Sequence, residues 1–146
     1  MTNLLGPIRL TDALLPKLLT QPRANIMTVS SGLAFLPLAT TPTYCATKAA
    51  IHSYTQSLRY QLRDTSVQVL ELIPPWVQTE LMGPGQATEP RAMPLDEFIA
   101  ETMSILKNSP EATEICVEQV QPLRFVEKSG NYDSFFKTFN DAMVTH

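Results

Sequence analysis

Apolar side chains at Leu4, Ile8, Leu15 and Leu19, flanked by Leu14 and Leu18, recur at close to helical spacing and predict a helix over 4–19 that ends between Pro16 and Leu19. After the polar break TQPRA, the short β-branched run NIMTVS (25–30) predicts a strand buried on both faces of a parallel sheet. A loop with Gly32 and Pro37 follows. From Thr43 to Asp64 there is neither Pro nor Gly, and Ala46, Ala50, Tyr54, Leu58 and Leu62 repeat one turn apart, which predicts a long helix. SVQVLELI (66–73) predicts the next buried strand, stopped by Pro74-Pro75, which removes two backbone donors from the ladder. Strand, helix and strand make one βαβ unit. The mixed segment 76–93 predicts a mobile loop of the kind that covers a site. PLDEFIAETMSILK (94–107) has Pro at its start, acids in its first turn and Lys in its last, and predicts a third helix. A last strand is expected within 114–120, and a tail helix over 132–143 with Phe135, Phe136 and Phe139 on its buried side.

Composition narrows the class. With 146 residues, 44% hydrophobic and 17% charged, the chain suits one folded domain rather than disorder. Its apolar stretches are broken by Lys, Pro or Gly before reaching the ~18 residues of a membrane span, and no secretory signal is legible, so a cytoplasmic address is expected. A net charge of −3 without any basic run argues against a phosphate-tracking nucleic-acid surface. Cys45 and Cys116 form no CxxC or metal spacing and read as reduced and structural, and no metal site is expected.

The candidate chemistry starts with Tyr44 and Lys48. One turn apart on the strongest predicted helix, they emerge on one face. An ammonium beside a phenol favours phenolate, which predicts a Tyr44 pKa below the ordinary ~10. The alternative is a Tyr and a Lys on a solvated face. Ser31 falls just past the end of the 25–30 strand, where α/β sheets place ligands. The alternative there is that Ser30 and Ser31 satisfy backbone groups of a turn. Asn3, alone, reads as an N-cap of the first helix.

Taken together, Asn3 in TNLLGP, Ser31 in VSSG, the YCATKAA block and PPWVQT after the following strand resemble the second half of a short-chain dehydrogenase/reductase. The resemblance covers nearly the whole chain and is strongest from Asn3 to Leu81. It implies a tetrad in which Tyr44 donates a proton to a carbonyl oxygen, Lys48 holds the nicotinamide ribose, Ser31 orients the carbonyl and Asn3 holds a relay water. It implies that Pro74, Val77 and Thr79 contact the nicotinamide end of NAD or NADP, which supplies hydride. Pro75 stands where the family commonly has Gly. Trp76 lines the substrate pocket or plugs the core.

The glycine-rich turn with which that family binds pyrophosphate is not in this sequence; Gly83 and Gly85 flank a proline and follow no strand. The expectation is therefore an α/β fold, a partial doubly wound parallel sheet of three main strands, equivalent to the C-terminal half of the family fold, with 76–93 as a substrate lid. The expected function is the catalytic half of a carbonyl reductase or alcohol dehydrogenase, inactive alone and weak in NAD(P) binding. The alternative is a non-catalytic oligomerisation or small-ligand-binding module. An unpaired sheet edge predicts a homodimer or a separate N-terminal half that completes the sheet, and the resemblance implies that the subunit surfaces are Leu4, Ile8 and Leu15 of one helix and Ala50, Tyr54 and Leu58 of the other.

Overall fold

A computed structural model describes residues 2–144. Helix α1 (Leu5–Leu19) leads into strand β1 (Ala24–Val29), helix α2 (Pro42–Gln61), strand β2 (Val67–Leu72), helix α3 (Leu95–Asn108) and the two-residue strand β3 (Glu114–Ile115). The chain closes with the single-turn helix α4 (Gln121–Arg124) and helix α5 (Tyr132–Val144). The sheet is parallel throughout, in the order β1-β2-β3, with Ala24 opposite Val67 and Val29 opposite Leu72. This is the three-stranded parallel α/β arrangement that the sequence predicts.

Alternation along the strands sorts the two faces. Val67 and Val69 of β2 turn toward α2 and form a core with Leu58 and Leu62, against which Leu15, Leu18, Ile26 and Tyr54 pack. On the opposite side, Leu70 of β2 and Leu106 of α3 line one hollow. Met27 and Val29, the register partners of Leu70 and Leu72, remain 40% and 48% exposed. Strand β1 is thus an open edge with one apolar face uncovered.

Two expectations need correction. The strand expected within 114–120 is only Glu114–Ile115; Glu118–Val120 turns into a 3-10 helix that carries the chain into α4 and buries Val120. Of the aromatic residues assigned to the buried side of the tail helix, Phe135 is exposed. Of the apolar residues named for dimerisation, Leu58 is buried within the chain, and Leu15 and Tyr54 pack around it. The exposed leucines of α1 are Leu5, Leu10, Leu14 and Leu19. The tail is tied back by buried Asn140, which accepts from the Ala39 N–H at 2.7 Å and donates to the Pro37 carbonyl at 3.2 Å. Among the described residues no helix is long and apolar enough to cross a membrane.

Candidate functional site

The parallel ladder runs on beyond β1. Ser30 N–H donates to the Leu72 carbonyl and Gly32 N–H to that of Pro74, both at 3.0 Å, which places Ser31 and Pro74 side by side at the C-terminal end of the sheet. Ser31 then caps a 3-10 turn (Gly32–Ala34), its Oγ accepting the Leu33 N–H at 3.1 Å. The backbone role expected of a Ser-Ser turn is therefore real. It leaves room for a second partner, because a hydroxyl oxygen has two lone pairs and a proton.

Beside Ser31 lies Tyr44, in the first turn of α2, whose start is set by Pro42 at the N-terminus. Burial raises the Tyr44 phenol above its ordinary value, and the hydrogen bond with Ser31 offsets only part of this. Lys48 lies one turn on, its Nζ 5.6 Å from the centre of the Tyr44 ring and donating to the Val29 carbonyl at 2.9 Å. Burial pushes its pKa down. The expected lysine-driven lowering of the tyrosine is therefore not what this geometry gives. The ammonium gives one of its donors to the end of β1, and desolvation of the phenolate dominates. Tyr44 is held as a neutral acid.

Asn3 comes to α2 from outside. Its Nδ2 donates to Thr47 Oγ1 at 3.4 Å, and that hydroxyl donates to the Tyr44 carbonyl at 2.8 Å. It caps nothing in α1, whose N-cap is Leu4 without a side-chain bond. Ser31, Tyr44 and Lys48 thus meet where β1 meets α2, and Asn3 reaches that turn of the helix through Thr47. Pro74 joins them through Gly32. Val77 and Thr79 belong to the neighbouring loop, where Val77 is buried and bridges Met93 and its carbonyl accepts from Gln86 at 2.7 Å. Segment 76–93 is a closed loop rather than a loose one: Met93 N–H donates to the Trp76 carbonyl at 2.8 Å and Gln78 N–H to that of Met93 at 2.9 Å. Trp76 is half-buried, with the Arg91 guanidinium over its ring.

The sequence reading missed a second cluster. Glu71, fully buried in β2, has His52 Nδ1 at 2.9 and 3.0 Å from its two oxygens. Beside it Arg124 grips Glu114 with two bonds of 2.7 and 2.8 Å, which holds that carboxyl below its usual range. Arg59 donates to the carbonyls of Val69 and Thr113. His52, Glu71 and Glu114 bring ligand-type atoms within 4.8 Å. Each already has a strong partner, and two guanidiniums accompany the two carboxylates, so the cluster closes on itself as a bridge from α2 to the sheet. Two signals pointed to it: His52 continues the Tyr44–Lys48 face by one more turn, and Glu71 is the lone acid in an apolar strand. Burial and the Glu114 charge push the Cys116 thiol up to about 11, so it stays protonated; Cys45 is likewise a free thiol.

A family model for short chain dehydrogenase matches residues 1–90. Among curated proteins, the Uncharacterized oxidoreductase DltE of Bacillus subtilis (strain 168) is 42% identical over 141 residues, covering 94% of this chain and 55% of that protein. The Uncharacterized oxidoreductase SERP2049 of Staphylococcus epidermidis is 40% identical over 79 residues, 54% of this chain and 34% of that protein. The chain thus spans about half the length, or less, of these relatives. A short-chain dehydrogenase from Burkholderia cenocepacia J2315 solved with NADP superposes with a TM-score of 0.71 at 20% identity, covering 98% of this chain and 58% of that one. One from Sphingobium yanoikuyae solved with NADPH gives 0.72 at 22%, covering 92% and 53%.

Proposed function

The chain belongs to the short-chain dehydrogenases, and on that premise we propose that it carries the proton-donating and nicotinamide-facing half of an NAD(P)-dependent carbonyl reductase or alcohol dehydrogenase. The observation that carries this reading is the meeting of Ser31, Tyr44 and Lys48 at the C-terminal end of a parallel strand, with Lys48 Nζ 5.6 Å from the centre of the Tyr44 ring. The residues fit the nicotinamide end of the cofactor. An ammonium has three donors, and Val29 takes one, so Lys48 keeps two for ribose hydroxyls. A bound nicotinamide supplies the hydride.

The chain's own residues do the rest. Tyr44, kept neutral by burial, gives its proton to the oxygen of the reacting carbonyl, which suits the reductive direction at neutral pH. Ser31 holds that oxygen by donating its one hydroxyl proton to it. Asn3, anchored to Thr47, sits at the turn of α2 between Tyr44 and Lys48, where a relay water can be held. No glycine-rich cradle for a pyrophosphate is present in the sequence. Each charge-assisted bond missing there forfeits about 1.5–3 kcal/mol, so the chain alone binds NAD(P) weakly and turns over no substrate. The open edge of β1 and the uncovered Met27 and Val29 mark where a second copy, or the other half of a longer chain, adds its strand.

The test compares NADPH with reduced nicotinamide mononucleotide, which has the nicotinamide end alone. Similar affinities are expected, in the range of about 1 mM or weaker (~4 kcal/mol), and Lys48→Met weakens both. NADPH binding at least ~30-fold tighter than the mononucleotide overturns the half-site reading. No binding of the mononucleotide at ten millimolar or so removes the nicotinamide reading altogether.

A further inference from the structure

Between the Ser31 turn and α2 the chain runs as a strap, residues 36–41, and the position of Tyr44 depends on it. Helix α2 starts without a side-chain cap: Thr41 stands at the N-cap and makes no such bond, and Pro42 follows it. The amides of Thr43 and Tyr44 have no acceptor within the helix, and an uncapped first turn frays unless its approach is held. The strap is held from two sides. Its Leu36 side chain is fully buried, and Thr41 N–H closes a turn on the Leu38 carbonyl at 3.0 Å. Leu38 N–H donates to Cys45 Sγ at 3.3 Å, which ties the strap to α2 itself. The flanking groups, the Pro37 carbonyl and the Ala39 N–H, turn instead to Asn140 of α5. A carboxamide that donates to the carbonyl of residue 37 and accepts the N–H of residue 39 makes the bonds that one residue of an adjacent strand would make. Asn140 Nδ2 also donates to the Phe136 carbonyl at 3.0 Å, one turn back in α5. The orientation of the amide is forced, because a carbonyl only accepts and a backbone N–H only donates.

We propose that Asn140 is a positioning residue for Tyr44: by pairing with the strap as a one-residue strand, it sets where the uncapped start of α2 lies, and so where the phenol stands against Ser31 and Lys48. The other two residues are fixed without it. Ser31 is carried by the ladder that continues from β1, through Ser30 and Gly32, and Lys48 lies one turn further into the helix with its ammonium on the Val29 carbonyl. Tyr44, in the first turn, is the one exposed to fraying. Helix α5 therefore belongs to the machinery of the site, although Asn140 reaches no reacting atom. That Tyr44 gives up a proton rests on the reading above; that Asn140 fixes its place does not.

Amide hydrogen exchange and the Tyr44 titration of the intact chain read this without any cofactor. In the wild type the Ala39 N–H should be protected, and so should the Cys45 N–H, which closes the first turn of α2 on the Thr41 carbonyl at 3.1 Å. In Asn140→Ala both should exchange faster by ~10-fold or more, the loss of one net hydrogen bond, beyond any change in the β1–β2 ladder, which reports global opening. The Tyr44 titration, taken as the ultraviolet difference from Tyr44→Phe in the same background, should fall back to the ordinary ~10, because the burial that raises it is relieved. An Asn140 that merely docked the tail would leave that titration where it is. Lys137→Ala, which breaks the Lys137–Asp141 pair on the exposed side of α5 and leaves the strap alone, should move neither readout. A Tyr44 titration unmoved in Asn140→Ala overturns the proposal, as does an Ala39 N–H that exchanges like a free peptide in the wild type, which needs no variant to fold. A wild type that binds no nicotinamide mononucleotide removes the nicotinamide reading and leaves the role of Asn140 standing on these two readouts.

Discussion

Replacing His52 by Leu removes the partner of a carboxylate that has no access to water. Glu71 is 0% exposed, and both its oxygens face His52 Nδ1 at 2.9–3.0 Å. The nearby guanidiniums are already held by other partners: Arg124 bonds Glu114 through two nitrogens, and Arg59 bonds two backbone carbonyls. Breaking a buried pair from one side costs about 3–5 kcal/mol. Against a total of about 5–15 kcal/mol for a domain, that is about a fifth of the stability or more. With a urea dependence of about 2 kcal/mol per molar, the unfolding midpoint of His52→Leu falls by about 1.5–2.5 M. Glu71→Leu should cost less, about 1–3 kcal/mol, because the orphaned imidazole is 16% exposed and can reach solvent. The double variant His52→Leu/Glu71→Leu should cost less than His52→Leu alone, since an apolar pair of similar volume leaves no charge to bury. Urea titrations of the four proteins, followed by Trp76 fluorescence and far-UV circular dichroism, give the cycle. A loss under ~1 kcal/mol in His52→Leu, or a double variant whose cost equals the sum of the singles, refutes the reasoning.

Three further outcomes are expected. Tyr44 should titrate above the ordinary ~10 of a phenol in the ultraviolet difference between wild type and Tyr44→Phe, and Ser31→Ala should move it higher still; because the folded value is raised, the stability Tyr44 contributes is present below ~10 and is lost as pH rises past the folded value, and a titration below 10 contradicts this. In Gly32→Ala the new Cβ falls 2.8 Å from Val120 Cγ2 and from Leu123 Cδ1, so the turn carrying Ser31 must shift, at about 1–3 kcal/mol by urea unfolding; a neutral effect means that α4 yields freely. Arg124→Met removes what lowers the Glu114 pKa. The stability that Glu114 gives the wild type is present above its ordinary value and is lost as pH falls through the lower folded one, so the gap in urea midpoint between the two proteins should be widest near neutral pH and narrow toward pH ~3. A gap independent of pH would assign the cost to packing.

The sequence by itself determined the element order, because hydrophobic periodicity and Pro-Gly punctuation are local signals that tertiary packing here reinforces. The helix carrying Tyr44 and Lys48, the strand pair on either side of it and the stop at Pro74-Pro75 all lie where the pattern puts them. Tyr44 and Lys48 were legible as a pair one helical turn apart and Ser31 as a residue just past a strand end, whereas Asn3, and the four as one set, came from the resemblance to the family. What the residues do to one another was not. Whether Lys48 lowers the Tyr44 pKa depends on a few ångströms and on burial, and only the folded chain shows the ammonium turned to Val29 and desolvation prevailing. The partners His52 with Glu71 and Gln86 with Thr79 pair side chains from different elements, or from opposite arms of one loop, and no periodicity encodes such a meeting. The last strand was over-read for a related reason: alternation over 114–120 is the local signature of a strand, but pairing with β2 ends after Ile115, and burial of Val117 and Val120 in a turn satisfies the same apolar residues without a ladder. Local chemistry fixes where elements start and stop; the protonation and pairing of buried groups are set by what the fold places against them.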